Sequence, residues 1–205
     1  MNTHPDLTRI SKITDNIFLS GIYPLDVNPD IIRQNNIKCI ISCVNQESVA
    51  ETHVNLLLAN PDLTILYVPL HDSTDQNLWV LNNNQTSIVK YSTDIEGFNN
   101  LNHLLAKYQN KPMIDIGYHM MDMAIRNNQN VLVHCMAGIS RSTSFVMYYF
   151  MKKYHTAFDI TFQVIKQKRP IVNPNSSFKK QLKKYSIMRD KFTTKDAQLA
   201  MQTSD

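Results

Sequence analysis

The sequence predicts an α/β fold, with a central, mostly parallel sheet flanked by helices. Three apolar, β-rich runs, "IKCIISCVN", "LTILYVPL" and "VLVHC", are each bounded by polar turn residues, as strands buried on both faces are. Helical patterns alternate with these strands and then dominate the C-terminal third, which puts helices on both faces of the sheet. The 205 residues, 43% hydrophobic and 19% charged, suit one globular domain with a sizeable core.

Taken in order, residues 1–7 read as an N-terminal arm, and "NIFLSG" as a short strand ending at Gly21. "NPDIIRQNN" reads as a helix with Asn28 at its N-cap and Pro29 in its first position. Two of the three apolar strands follow. Between Leu70 and Asn130 the pattern is least regular: "NLWVLNNNQTSIVKYSTDIEGFNN" reads as loop or short elements. The patches "NLNHLLAKYQ" and "MIDIGYHMMDMAIRN" read as helices separated by Pro112. Beyond the third strand, "STSFVMYYFMKKY" is apolar nearly all round and predicts a central helix on the sheet. "TAFDITFQVIKQKRP" predicts a helix opened by a capping box of Thr156 and Asp159 and stopped at Pro170. "NSSFKKQLKKYSIM" predicts a third amphipathic helix, and residues 189–205 a polar, frayed tail.

Several function classes are disfavoured at this level. No apolar run reaches the roughly 18 residues of a membrane span, and no secretory signal opens the chain. Cys39, Cys43 and Cys135 are odd in number and show no C-x-x-C pair, which favours a reducing, intracellular compartment, cytoplasm or nucleus. Cys39 and Cys43 share one strand face and read as core; a disulfide from one of them to an oxidised Cys135 is the sharper reading. A net charge of +4, with lysines gathered in "KQKR" and "KKQLKKY", favours phosphorylated or acidic partners over nucleic acid, or simply solvated helix faces.

The chemistry concentrates where "VLVHC" gives way to a loop of small residues and then a helix. Such a turn aims backbone N–H groups at one point, and the helix dipole adds positive potential there. The cradle binds a phosphate dianion and also stabilises a thiolate, so Cys135 at its first position is the candidate nucleophile. Arg141 offers a planar fork to two phosphate oxygens. Gly138 lets the loop turn and its backbone approach the ligand. Ser142 either caps the helix or donates a hydrogen bond to the cysteine sulfur, and His134 fixes the loop by side-chain hydrogen bonds rather than acting as a base. The backbone of Met136, Ala137, Gly138, Ile139 and Ser140, with Arg141, forms the candidate phosphate cradle.

"HCMAGISRS" resembles the H-C-x-x-G-x-x-R-[S/T] signature of the cysteine-based phosphatases, in the version found in dual-specificity phosphatases. "ITDNIFLSG", "IKCIISCVN" and "KQKRPIVNPNSSFKKQL" are similar to further segments of that family, so the resemblance covers residues 8–188 as one catalytic domain. The MAP kinase phosphatases and small viral enzymes are the nearest group, and the Asn-rich, single-domain chain would suit a viral gene. The resemblance implies the cysteine-phosphatase fold, a phosphocysteine intermediate, no cofactor and no metal; His71 and His103 show no ligand spacing. It also implies an acid loop. "YVPLHDSTDQNL" resembles that loop and assigns Asp72 as general acid, with Asp75 as the fallback and Asp94 a more remote candidate. More residues than usual separate Asp72 from Cys135, which predicts a helical insertion over about 73–113. That insertion is a candidate contact in a homodimer, and Trp79, Tyr91 and Phe98 either line a substrate groove or pack it.

The implied substrates are phosphorylated proteins, MAP kinases among them, carrying phosphotyrosine and phosphoserine or phosphothreonine. The signature loop has no extra basic residue for a phosphoinositide, and no W-P-D acid loop marks it as tyrosine-specific. An RNA 5′-phosphatase and a catalytically silent phosphoprotein-binding module of the same fold are the alternatives.

Overall fold

The computed structural model describes residues 4–83, 85–90, 105–108 and 110–202, with side chains up to 190. Six strands form one sheet in the order β1-β2-β6-β3-β4-β5: β1 (Ser11–Lys12), β2 (Ile17–Ser20), β3 (Ile37–Ser42), β4 (Thr64–Tyr67), β5 (Ser87–Lys90) and β6 (Asn130–His134). The four inner strands are parallel, and β1 and β5 close the edges antiparallel. The helices are α1 (Tyr23–Val27), α2 (Ile31–Gln34), α3 (Ala50–Ala59), α4 (Met113–Arg126), α5 (Arg141–Tyr154), α6 (Phe158–Lys168) and α7 (Ser176–Gln202).

Register decides what each face carries. Ser42 pairs with both Tyr67 and His134, so these three side chains share a face, and His53 of α3 bonds to two of them there. Val68, one residue on, belongs to the opposite face, and Gly117 of α4 packs beside it and against Phe145 of α5. Helices therefore cover both faces, and Ile40, Ile41, Ile65, Leu66, Leu132 and Val133 are fully buried between them. The parallel strands end in register at Ser20, Ser42, Tyr67 and His134. That edge, where parallel strands hand over to loops, is where open α/β sheets bind ligands.

Three local expectations are corrected. Asn28 does not cap a helix at Pro29: an unforeseen helix, α1, runs up to it, and the Asn28 N–H donates to Pro24 O (3.3 Å). Pro24 needs no amide hydrogen in the first turn of α1, and α2 begins only at Ile31. The capping box is also absent. Ala157 occupies the cap of α6, because the Thr156 hydroxyl bonds Thr161 Oγ1 (2.7 Å), whose own proton goes to Ala157 O (2.8 Å). Finally, the stretch read as a frayed tail continues α7 to Gln202, and Arg189 ties that helix to Met151 O (2.6 Å) and Thr156 O (3.1 Å).

The arm is docked as well. Asp6 is buried and accepts from Arg9 and from the Ile171 N–H (3.3 Å). In the stretch read as an insertion, residues 87–90 supply the edge strand β5 and residues 105–107 a helical turn, while Leu81 bridges to Pro112 just before α4. Trp79 of this stretch packs against helices outside it, stacked on Tyr185 of α7 (5.6 Å between centroids) and edge-on to Tyr148 of α5. Tyr91, Asp94, Phe98 and His103 lie outside the described residues. No helix among the described residues is long and apolar enough to cross a membrane.

Candidate active site

The signature loop, Cys135 to Ser140, joins the central strand β6 to α5 at the sheet edge where the parallel strands end. Gly138 takes φ +69° there, and a Cβ on it would lie 2.3 Å from the Ser20 carbonyl carbon. Gly21 is pressed against the other side of the same contact, where a Cβ would meet Met136 O at 2.8 Å. These two glycines let the loop seat directly on the end of β2, and the Ile22 N–H donates to Met136 O (3.0 Å).

Arg169 fixes the loop from below. Its guanidinium is fully buried and donates to Gly138 O (2.9 Å), Ala137 O (3.2 Å), Arg9 O (3.2 Å) and Ser11 Oγ (3.2 Å). Burial lowers its pKa from the ordinary arginine value, and Asp6 opposes that shift. Carbonyls held downward leave the opposite edges of the same peptide planes, the N–H groups, for the cradle. Reading the sequence missed this residue; the signal available was an arginine just before Pro170 in the segment similar to the family.

Cys135 is buried, and two donors meet its sulfur: the Gly138 N–H at 3.3 Å and the Ser142 hydroxyl at 3.2 Å. Of the two alternatives for Ser142, it takes the sulfur contact; the helix cap falls to Ser140. Arg141 anchors one guanidinium nitrogen, Nη1, on Leu70 O (3.3 Å), and its buried Nε has no hydrogen-bond acceptor among the described residues. A buried donor without an acceptor, on the residue that follows the signature loop, suits an incoming oxyanion.

Asp72 sits at this site despite the long separation in sequence. Its Oδ1 accepts from Ser140 Oγ (2.6 Å) and from Asn175 Nδ2 (2.9 Å), while Oδ2 faces Arg141 Nε at 4.0 Å. Asn175, also missed in the sequence, binds three elements together: its N–H donates to Ser140 Oγ (3.1 Å), and its Oδ1 accepts the Phe178 N–H (2.9 Å) at the start of α7. Asp75 lies on the same loop but exposed, its carboxyl held below the usual range by Ser73, and it lines a groove with Trp79 and Tyr185 instead.

His134 is fully buried and contacts Cys135 O through Nδ1 (3.3 Å) and His53 Nε2 through Nε2 (3.0 Å). Burial, then the neighbouring His53, pushes its pKa down to about 3. Cys43, the residue after β3, lies beside it, its N–H donating to His134 O (2.8 Å). All three cysteines are free thiols, and burial pushes Cys39 up to about 12 and Cys43 well above its ordinary value, with Cys135 adding to the latter. An open groove of about 360 Å³ adjoins the loop, lined by Leu7, Thr8, Tyr23, Met136 and Ala137. No cluster of three or more His, Cys, Asp or Glu side chains among the described residues is arranged to hold a metal.

The family model described as dual specificity phosphatase, catalytic domain, matches residues 81–188. The chain belongs to the dual specificity phosphatase family. It is 46% identical over 196 residues to R622 of Acanthamoeba polyphaga mimivirus, which bears the name of a tyrosine-protein phosphatase, covering 96% of this chain and 92% of that one. Among solved structures, the Cydia pomonella PTP-2 phosphatase matches with a TM-score of 0.61 at 24% identity, over 86% of this chain and 89% of its own. The human tyrosine phosphatase-like serine/threonine/tyrosine-interacting protein matches with a TM-score of 0.62 at 21% identity, over 89% and 98%. At these identities the two structures speak to the fold alone. Family membership and the mimivirus relative together make this dual specificity phosphatase a protein phosphatase with phosphorylated proteins as its substrates, and the relative points to a viral origin.

Proposed function

We propose that this phosphatase hydrolyses phosphotyrosine and phosphoserine or phosphothreonine esters in proteins through a phosphocysteine intermediate. The observation that carries the reading is the convergence of the Gly138 N–H and the Ser142 hydroxyl on Cys135 Sγ. Donors there stabilise the sulfur as a thiolate, both before attack and when it leaves. In the first step Cys135 Sγ bonds to phosphorus as the bond from phosphorus to the ester oxygen breaks. The loop amides and Arg141 hold the equatorial oxygens.

Asp72 gives its proton to the departing oxygen. Both donors to Asp72 bind Oδ1, so the proton to be transferred resides on Oδ2, the oxygen on the Arg141 side. In the second step the same carboxylate takes a proton from water, which attacks phosphorus and expels the thiolate, and phosphate leaves. His134, neutral and buried behind the loop, supports the cradle.

The open groove beside Met136 and the lack of added charge in the loop suit a shallow pocket for flanking peptide side chains. MAP kinases, phosphorylated on neighbouring Thr and Tyr, are the proposed targets, within the cytoplasm or nucleus. Residues 8–188 act as the catalytic domain, with residues 73–113 as the long stretch between the acid loop and the signature loop. Mass spectrometry of a peptide phosphorylated on both Thr and Tyr, with Cys135→Ser as control, tests the reading. Loss of both phosphates with wild type alone supports it. Turnover by Cys135→Ser removes the covalent mechanism, and failure of the folded wild type to release either phosphate shifts the function to RNA 5′ ends or phosphoprotein binding.

A further inference from the structure

Behind the signature loop runs a buried chain of three side chains. Tyr67 OH lies 2.6 Å from His53 Nδ1, His53 Nε2 lies 3.0 Å from His134 Nε2, and His134 Nδ1 lies 3.3 Å from Cys135 O. The three residues are all but inaccessible, at 2%, 1% and 0% exposure. The chain has one consistent direction. Cys135 O is a carbonyl and only accepts, so His134 Nδ1 carries a hydrogen; neutral His134 then accepts at Nε2, so His53 donates from Nε2, accepts at Nδ1, and takes the Tyr67 hydroxyl proton.

Both rings are neutral near pH 7, since burial lowers His53 to about 4 and His134 to about 3. The weakest link is the last. At 3.3 Å the bond to Cys135 O does little to hold the His134 tautomer, whereas the two bonds upstream are closer, at 2.6 and 3.0 Å. We infer that His53, oriented by Tyr67, is a positioning residue that holds His134 in the Nδ1–H tautomer and thereby fixes the carbonyl of Cys135 away from the phosphate cradle.

With the other tautomer the Nδ1 lone pair would face the carbonyl oxygen, and the first peptide plane of the loop would lose its anchor. Among the described residues, the other charged or titratable groups that act on this chain are Arg141 on His134, Glu47 on Tyr67, and Cys43, which is coupled to Cys135. A carboxylate that could fix His134 instead does not occur in its hydrogen bonds among the described residues. The inference rests on the proposed role of Cys135 for its kinetic part only.

Long-range proton–nitrogen NMR of the full chain reads the tautomers directly, independently of activity. In wild type His134 is expected as Nδ1–H and His53 as Nε2–H; the reverse tautomer at His134 would overturn the inference with no substitution needed. His53→Leu removes the donor and should release His134 from the Nδ1–H form while lowering kcat about tenfold, with KM little changed. His53→Gln, whose amide both donates and accepts, should restore the tautomer and most of kcat. Persistence of the wild-type tautomer in His53→Leu, an unchanged kcat despite the switch, or no rescue by Gln would each overturn it. Failure of the proposed chemistry itself shows separately, as turnover by Cys135→Ser.

Discussion

The Asp72 carboxylate and the Ser140 hydroxyl are joined by a 2.6 Å hydrogen bond that ties the acid loop to the signature loop. The acid therefore stands over the cradle before any substrate arrives, and Asn175 holds the same oxygen from the third side. Preorganisation of this kind lowers the reorganisation that the reaction would otherwise require. Asp72→Asn keeps the shape and removes the proton. Steady-state assays should show kcat lower by about 10²-fold or more, with KM little altered and the deficit largest for alkyl phosphates.

Removing a tether should act differently. Asn175→Ala deletes the amide that holds Asp72 and the cap on the Phe178 N–H, so the acid loop loosens and α7 loses about 1 kcal/mol at its start. The expected result is a smaller loss in kcat than with Asp72→Asn, accompanied by a lower denaturation midpoint. An intact midpoint would show that the cap contributes nothing.

Ser142 touches the sulfur and no phosphate oxygen need be involved in that contact. Its hydroxyl matters most when Cys135 becomes the leaving group, so Ser142→Ala should slow breakdown of the phosphoenzyme more than its formation. Rapid-quench measurements should reveal a burst of alcohol release absent from wild type, with kcat lower by about tenfold and kcat/KM nearly unchanged.

Arg169→Met should destabilise the fold, because four acceptors lose their donor in a site without solvent. The cost is about 3 kcal/mol or more. Arg169→Lys supplies one point charge in place of a planar fork and should recover only part of it. Chemical denaturation of the three proteins decides the matter.

The buried histidines set the response to acid. Above pH 6.5 they are neutral in both folded and unfolded chains; below it the unfolded chain binds protons that the native state excludes, down to about 4 for His53 and about 3 for His134. Stability therefore falls as pH falls through this window, by up to about 1.4 kcal/mol per pH unit for each histidine. Urea midpoints between pH 7 and 4.5 should drop less steeply for His53→Gln than for wild type, and parallel curves would show that His53 is not protonated on unfolding.

The sequence by itself determined the parts that are contiguous. A strand, a loop of small residues and a helix bring Cys135, Gly138, Arg141 and Ser142 together by local geometry, so "HCMAGISRS" is legible as a unit, and periodicity exposes the buried strands on either side. Only the tertiary structure decided the rest. Asp72 meets Ser140 across 68 positions, Arg169 reaches Gly138 O across 31, and His53 meets His134 across 81. Nothing in a lone histidine within "ETHVN" or an arginine before a proline fixes its partner, because that is set by parallel register and helix packing. The helix starts differ for a related reason: the Thr156 hydroxyl has the right chemistry for a cap but bonds Thr161 instead, and Asn28 closes α1 with its backbone N–H, so α2 begins only at Ile31. Patterns in a chain report what its neighbours along the backbone can do, while the support of a reacting group comes from residues that only folding makes neighbours.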